Sequence, residues 1–440
     1  MSTQSSTLIR MSPVYSSSTN KRPMDCLTQT YGAPKRSTDG KILIFIFCCT
    51  AIAEFFNVTF FRLKLSFSTY VSLAFILLGL GMMVKLIAKD SGERMNGRKW
   101  LLLLVGWNVV TIVRGIYFAE NYWDWKMLIF TNMPALLIPL VAFMGYRLCA
   151  IKDLLDFIRK YYFIAAFLLL IAVGLPSKII YLWTPLYFFI IAYKYLPRRE
   201  RIFIIILVAF LLPADLMARS SLIRVAVSIV IGLSCYWIGR HRRIVSLAQK
   251  VLAVLPFVLF FLALSGDFNI FDMESYMGPG VEVENVAGEK ENFMADSRTF
   301  LYEECLSSMD RKDSFLFGEG GCGKYYTEAF KNALFGANRY ASEVGVLNTL
   351  LYSGIIGVAL YWIVFFIASY KAINDSENIL SKMIGLFIII RWDYFFVEEF
   401  TNFNTNYFFL WLMIGMCLTP QFRYMTDEDI REWIGGRSSR

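Results

Sequence analysis

Two arginines lie at the start of one expected helix, where an anion could bind. They are Arg219 and Arg224, in the stretch 217–224. Unpaired N–H groups at a helix N-terminus already favour an anion. Five residues of helix rotate a side chain by roughly 140°, so only one of the two can face a given cavity. Both are candidate contacts for an anionic substrate, and we expect Arg219 to face the cavity while Arg224 packs or reaches the membrane interface.

A second stretch, residues 296–309, predicts an amphipathic helix in a loop. Its apolar positions recur every four residues, at Leu301, Cys305 and Met309. The expected N-cap is Asp296 or Ser297. Arg298 then lies in the first turn, where a cation opposes the helix dipole. Because a bidentate guanidinium suits a phosphate, Arg298 predicts an anion site, and a salt bridge to a neighbouring acid is the alternative.

A third stretch, residues 339–357, places charged residues at the start of another expected helix. Glu343 lies at its outer boundary, where partial desolvation would suit a carboxylate to proton abstraction. The alternative is a helix-terminal acid that is stabilised by the dipole alone. Arg339, four residues earlier, is a further candidate for contacting an anionic substrate.

The glycine-rich segment 317–325 matches two nucleotide-binding patterns without predicting nucleotide binding. Tyr325 occupies the position where a phosphate-binding loop needs Ser or Thr, and no βαβ pattern surrounds the segment. The glycines instead predict a tight turn, close to a ligand. Cys305 and Cys322 share this loop, and an oxidising compartment could join them in a disulfide.

Neither a metal site nor a cofactor is expected. The eight cysteines are scattered without a CxxC pair, and His241 is the only histidine. Metal sites usually take Cys and His ligands at short, regular spacings. The one compact acidic cluster, residues 427–429, predicts instead the start of a helix capped by Thr426.

The composition indicates which elements position these residues. Of 440 residues, 57% are hydrophobic and 18% are charged, and the mean hydropathy is +0.50. These values exclude a water-soluble globule. They predict an all-α, polytopic membrane helix bundle of about twelve transmembrane helices, with a large extracytoplasmic loop that contains short helices. The expected spans are 41–61, 65–88, 100–119, 127–145, 161–176, 179–196, 201–216, 219–239, 249–266, 343–370, 379–399 and 404–420.

The distribution of positive charge predicts the sidedness of these spans. With a cytoplasmic N-terminus, the inner loops carry eighteen Lys or Arg and the short outer loops carry five. This asymmetry predicts that both termini are cytoplasmic, and it accounts for the net charge of +9 without nucleic acid. Residues 267–341 then lie outside, and they hold fourteen Asp or Glu against seven Lys or Arg.

The predicted topology divides the chain into five segments. They are a disordered cytoplasmic tail (1–40), nine transmembrane helices (41–266), a periplasmic loop (267–342), three transmembrane helices (343–420) and a cytoplasmic tail (421–440). Ionisable side chains within spans are costly, so they indicate functional sites or internal ion pairs. Those expected in the outer half or middle of the membrane are Glu54, Arg114, Arg219, Arg224, Glu343, Arg391, Asp393 and Glu398.

The order, spacing and sidedness of these stretches resemble the O-antigen polymerase and O-antigen ligase superfamily of bacterial envelope glycan assembly. The resemblance covers expected spans seven to ten. It rests on residues 218–222 at a helix start, on Arg298 ahead of the turn 318–320, and on residues 343–347 followed by Gly354 and Gly357. Ligases carry His where this chain has Glu343, whereas polymerases vary at that position.

The resemblance implies a polymerase of oligosaccharide repeat units, for O-antigen or capsular polysaccharide, in the bacterial inner membrane. Donor and acceptor would both be linked to undecaprenyl pyrophosphate at the outer leaflet. Arg219 and Arg298 would clamp the pyrophosphate, with Arg224 and Arg339 as further contacts. Glu343 would deprotonate the acceptor hydroxyl, which implies inversion at the anomeric carbon and release of undecaprenyl pyrophosphate.

Two other functions and one partner remain open from the sequence. The nearest alternative is an O-antigen ligase that passes a finished glycan to an acceptor. A polysaccharide flippase or exporter is an alternative from a different class, although it would not need an acidic loop with arginines. A chain-length regulator is a possible protein partner of a polymerase.

Overall fold

Helices dominate the part of the chain that the structure, a computed structural model, describes. The described residues are 37–63, 67–89, 95–173, 184–211, 219–265, 268–269, 271, 282–284, 290–292, 298–328, 337–398 and 402–435. They belong to one compact unit, which spans residues 36–440. Most of the expected 1–40 tail lies outside the described residues.

The first half of the chain forms helices of very different lengths. They are α1 (Thr38–Leu63), α2 (Phe67–Ala88), α3 (Arg98–Phe118), α4 (Tyr122–Met127), α5 (Met133–Leu137), α6 (Leu148–Phe157), α7 (Phe163–Val173), α8 (Pro185–Ile191) and α9 (Arg198–Leu211). A π-helix (Leu128–Asn132) follows α4 and a 3₁₀-helix (Ile138–Met144) follows α5. Pro134 and Pro139 lie at the start of α5 and of the 3₁₀-helix, so the backbone changes pitch where a donor is missing.

The second half contains the elements that build the site. The helices are α10 (Arg219–Leu233), α11 (Cys235–Arg240), α12 (Arg242–Ser265), α13 (Thr299–Arg311), α14 (Gly345–Asn374), α15 (Ile379–Tyr394), α16 (Thr405–Leu418), α17 (Pro420–Arg423) and α18 (Asp427–Gly435). Two short antiparallel pairs lie between α12 and α14: β1 (Glu282–Glu284) with β2 (Lys290–Asn292), and β3 (Tyr325–Tyr326) with β4 (Asn338–Arg339).

Five described helical segments are long and apolar enough to cross a membrane. They are Phe67–Ala88, Arg98–Phe118, Tyr122–Met144, Arg242–Ala263 and Gly345–Asn374. The all-α class is confirmed, and these helices mark the chain as a membrane protein. The expected number of about twelve spans is not confirmed, because the remaining expected spans contain shorter helices, such as Thr405–Leu418, or run into residues outside the description.

Large aromatic side chains fill the core between α14, α15 and α16. Tyr361, Phe365 and Trp392 are fully buried, and Trp411 is 1% exposed. The rings of Phe365 and Trp411 meet edge to face with centroids 5.6 Å apart. Aromatic rings bury large areas with few rotatable bonds, so this core holds the three helices in fixed positions relative to one another.

The longest helix, α14, is broken at Gly354. This residue has φ +68° and ψ −172°, in the left-handed region that residues with a Cβ avoid. The break leaves the carbonyls of residues 351–353 without their helical partners. Their donors are instead the N–H groups of Glu319 and Gly320 and the indole of Trp107, at 2.7, 3.0 and 2.9 Å. The glycine-rich loop therefore completes the hydrogen bonding of α14.

The expected tight turn at the glycine-rich segment is confirmed. Gly318 and Gly320 have φ values of +69° and +81°. A Cβ on Gly318 would lie 2.5 Å from the carbonyl carbon of Tyr352, so only glycine fits against α14. Arg114 of α3 donates to the carbonyls of Phe317 and Gly318. Arg114, expected in the outer half of the membrane, thus holds this loop in place.

The C-terminal segment begins as expected with a capped helix. Asp429 N–H donates to the Thr426 hydroxyl at 3.1 Å, and Thr426 N–H donates to the Asp429 carboxylate at 2.9 Å. This reciprocal pair satisfies amides that the first turn of α18 leaves open. The acidic cluster 427–429 is accordingly part of a helix start.

Candidate functional site

Four consecutive carbonyls after α15 form the point where three elements meet. Residues 395–398, called the 395–398 turn below, follow the last residue of α15. The Phe395 oxygen accepts a hydrogen bond from Val346 N at 2.8 Å, and the Phe396 oxygen accepts one from Tyr302 Oη at 2.7 Å. The Val397 oxygen accepts from Arg298 Nε at 2.8 Å, and the Glu398 oxygen accepts from Gly345 N at 2.7 Å. A helix C-terminus leaves carbonyls without intrahelical partners. Because α13 and α14 supply those partners, the turn fixes both elements against α15.

A buried carboxylate between two guanidinium groups lies at the same turn. Glu398 Oε1 accepts from Arg391 Nη1 at 2.8 Å, and Glu398 Oε2 lies 3.6 Å from Arg224 Nη2. The exposed fractions of Glu398, Arg391 and Arg224 are 7%, 1% and 4%. Two cations against one carboxylate leave the cluster with an excess of positive charge. Arg224 packs, as one reading of the sequence expected, and it positions Glu398.

Arg298 is the N-cap residue of α13. The expectation that Asp296 or Ser297 caps this helix is wrong, because α13 begins at Thr299; those two residues themselves lie outside the description. The amphipathic pattern is confirmed, since Leu301, Cys305 and Met309 are at most 1% exposed. Arg298 is half-buried, and its Nε donates to the Val397 carbonyl. The side chain thus reaches the 395–398 turn instead of capping its own helix.

Glu343 lies two residues before Gly345, whose N–H donates to the 395–398 turn, but the Glu343 side chain is exposed. The expectation that it is partly desolvated is therefore wrong for the described part of the chain. The physical reason is that α14 begins only at Gly345, whose N–H donates to the Glu398 carbonyl. Residue 343 precedes the helix and remains on the outside of this contact.

The two remaining candidate residues are Arg339 and Arg219. Arg339 lies in β4, where it pairs with Tyr325 of β3. Burial raises the pKa of Tyr325 to about 12, and the nearby Arg339 guanidinium opposes that rise. Arg339 is thus held beside β3. Arg219 is the first residue of α10, and its side chain lies outside the described residues.

A cavity of about 560 Å³ lies between α12, α13 and α15, beside Arg298. Its apolar walls come from α12 and α15, including Pro256, Phe260 and Ile390. Its polar lining comes mainly from the loop side, with Asn269, Thr299, Tyr302, Glu303 and Ser307. A cavity with apolar walls and a few convergent polar groups is typical of a ligand site.

Asp393 is the charged residue that α15 contributes to this cavity. Its Oδ1 is buried and has no hydrogen-bond partner among the described residues. An uncompensated carboxylate oxygen in an apolar setting is costly. The sequence placed Asp393 in the outer half of the membrane but gave it no role, because its surroundings come from α12 and α13, far away in the chain.

The loop cysteines and the glycine-rich segment form neither a disulfide nor a nucleotide site. Cys305 and Cys322 are both free and buried, so the possible disulfide between them is not present. Burial raises the pKa of the Cys305 thiol to about 12. Strand β3 follows the glycine-rich turn where a phosphate-binding loop would continue into a helix. Among the described residues, no group of three or more Cys, His, Asp or Glu is arranged to hold a metal ion.

Comparisons with known proteins return no relative. No family model, no curated protein and no solved structure matches this chain. The resemblance to the O-antigen polymerase and ligase superfamily therefore stays a prediction. The functional argument depends on the geometry around the 395–398 turn and the adjacent cavity.

Proposed function

We propose that this protein is a membrane glycosyltransferase that polymerises oligosaccharide repeat units carried on undecaprenyl pyrophosphate, at the outer leaflet of the bacterial inner membrane. The observation that carries the proposal is the meeting of Arg224, Arg298 and Arg391 at the 395–398 turn, beside the cavity between α12, α13 and α15. These three arginines come from three separate helices. Arg224 and Arg391 hold the turn through Glu398, and Arg298, which the turn positions, supplies the guanidinium that suits a diphosphate.

The cavity supports an amphipathic substrate. Its apolar walls belong to α12 and α15, and its polar lining belongs to α13 and the residues before it. A lipid-linked glycan needs both kinds of surface at once, because its isoprenoid is apolar while its diphosphate and sugars are polar. Arg298, next to the cavity-lining Thr299, lies where these two surfaces join.

In the proposed reaction, an acceptor sugar hydroxyl attacks the anomeric carbon of the donor. A carbon–oxygen bond forms there as the bond to the diphosphate oxygen breaks, and the diphosphate leaves with the electron pair. Arg298 and Arg219 stabilise the charge that develops on the leaving group. Arg224 and Arg391 act through Glu398, by holding the turn that positions Arg298. One displacement inverts the anomeric carbon, and a carboxylate takes the acceptor proton.

Replacement of Arg298 tests the proposal. In cells that lack the native gene, Arg298→Ala should insert normally and yield only single repeat units, because the leaving group loses its guanidinium contact. Arg298→Lys should restore part of the chain length. Arg311→Ala is the matched control, since Arg311 is an exposed cation on the same helix, and it should give chains of normal length. Glycan gels provide the readout.

The same gels separate polymerase from the other functions. Loss of a polymerase leaves single repeat units attached to the cell surface. Loss of a ligase leaves no attached glycan, and loss of an exporter leaves lipid-linked units inside the cell. Glycan chains of normal length from Arg298→Ala would contradict the proposal. So would deletion of the gene if it left no attached glycan, or if it left lipid-linked units inside the cell.

A further inference from the structure

The carboxylate of Asp393 lines the cavity between α12, α13 and α15. Other outer-half residues have their charges engaged within the chain: Glu54 accepts from Thr405, Arg114 donates to loop carbonyls, and Glu398 pairs with Arg224 and Arg391. Asp393 Oδ1 is buried without a hydrogen-bond donor among the described residues, as is Glu54 Oε1, but of these two carboxylates it is Asp393 that lines the cavity. A ligand that brings a donor would offset this cost.

The lining around Asp393 has the composition of a sugar site. Tyr302 stands between two other rings, with centroids 5.7 Å from Phe271 and 5.8 Å from Phe260. Tyr302 is itself buried by these contacts, whereas Phe260 and Phe271 are only partly buried. A partly exposed aromatic face that lines a cavity can pack against the apolar C–H face of a sugar ring. Asn269 donates to the Thr299 hydroxyl at 2.8 Å, which places an amide and a hydroxyl at the same cavity.

Glu343 differs from Asp393 in its exposure to solvent and in its position relative to the cavity. Glu343 is exposed, it precedes α14, and it does not line the cavity. Asp393 lies on α15 and lines a cavity that is enclosed by three elements. A general base must come within hydrogen-bond reach of the proton it takes, so a carboxylate in the substrate cavity is better placed than one outside it.

We infer that the cavity between α12, α13 and α15 is the subsite for the acceptor sugar, and that Asp393 is the catalytic residue that takes its hydroxyl proton. The inference rests on the proposed function and replaces Glu343 in that role. As the acceptor oxygen bonds to the anomeric carbon, its proton passes to the Asp393 carboxylate. The diphosphate departs with the electrons of the broken carbon–oxygen bond, next to Arg298.

The test uses the full-length protein in membrane vesicles from cells that lack the native gene. The probe is the undecaprenyl-pyrophosphate-linked repeat unit isolated from those cells, and the readout is the initial rate of chain extension at several concentrations. Asp393→Asn should lower kcat by about 100-fold or more, with KM within about threefold of the original value. Asp393→Glu should recover part of the rate, because it restores the carboxylate.

Asp310→Asn is the matched control, since Asp310 is an exposed acid on α13 that does not line the cavity. It should extend chains at the original rate. The inference is overturned if Asp393→Asn keeps kcat within about threefold, or if its lower rate only follows a loss of folded protein on thermal unfolding. The opposite pattern, in which Glu343→Gln abolishes extension while Asp393→Asn does not, also overturns it and leaves the proposed function intact.

A different outcome identifies failure of the proposed function. If vesicles with the unaltered protein extend no chains from the lipid-linked units, then polymerisation itself is wrong, and the role of Asp393 falls with it. The two failures are distinguishable, because the unaltered protein extends chains if only the role of Asp393 is wrong and extends none if the proposed function is wrong.

Discussion

Glu398 is the side chain on which the geometry of the site depends most directly. Replacing it by Gln would leave Arg224 and Arg391 buried together without their shared anion. Removal of one partner from a buried ion pair costs about 3–5 kcal/mol. We therefore expect Glu398→Gln to lower the thermal unfolding midpoint of the purified protein clearly. If the proposed function holds, the displaced Arg298 should also shorten the glycan chains.

Glu377→Gln is the control for this prediction. Glu377 is an exposed acid after α14, so the same change of charge there should leave the unfolding midpoint nearly unchanged. Equal midpoints for the two variants would show that the arginines do not need Glu398.

At the residue scale, the sequence identified which charges are costly but not how they pair. From hydropathy and the distribution of positive charge, it placed Glu398 and Asp393 in the outer half of the membrane and Arg391 near the middle. Their different environments arise from contacts with α10, α12 and α13, which lie about 80 to 170 residues away. Glu343 was misjudged for the same reason, since the 395–398 turn decides where α14 starts.

Among the helices, α14 depends on a single backbone conformation at Gly354. A Cβ there would lie 2.2 Å from the Leu316 carbonyl oxygen, and alanine also disfavours the left-handed region by about 1–2 kcal/mol. Gly354→Ala should therefore separate the glycine-rich loop from α14. We expect faster proteolysis of the loop and a lower unfolding midpoint.

Gly106→Ala is the matched control within α3. A Cβ at Gly106 meets no atom within 4 Å, and alanine favours a helix, so stability should hold or rise slightly. Similar proteolysis of the two variants would show that the loop does not need the break in α14.

At the element scale, local patterns were sufficient where the chain folds on itself. The four-residue repeat predicted α13, and the glycines predicted the tight turn. Neither pattern indicated that the turn inserts into a helix that begins about 25 residues later, because hydrogen bonds between distant segments leave no local period.

Across the whole molecule, Asp375 joins the end of α14 to the C-terminal segment. Burial raises the pKa of this carboxyl, but hydrogen bonds from Tyr424 and Arg423 outweigh that effect and hold the pKa below its ordinary value. Its contribution to stability is therefore complete above the ordinary pKa of about 4, and it is lost as the pH falls through the lower pKa of the folded state.

Asp375→Asn isolates this contribution. The variant should be less stable than the original at neutral pH, and the difference between them should shrink as the pH falls below about 4. Unfolding midpoints measured across this range provide the readout. A difference that stays constant with pH would show that Asp375 does not act through its charge.

The all-α class of the whole molecule followed from composition, whereas the number of spans did not. Hydropathy detects the apolar content of a segment, and it does not detect where a helix ends, as α8 does at Ile191 inside the expected span 179–196. Prolines and internal hydrogen-bond partners decide where a long apolar segment remains one helix.

Together with the predicted topology, the break in α14 predicts an order of events during biosynthesis. Carbonyl groups left bare in hydrocarbon cost several kcal/mol each, so the outer part of α14 is a poor membrane segment until the loop donors reach it. Those donors precede α14 in the chain and, by the predicted topology, must first cross to the outside. By that topology, residues 315–320 would have to reach the outside before the hydrogen bonds of the outer part of α14 could be completed.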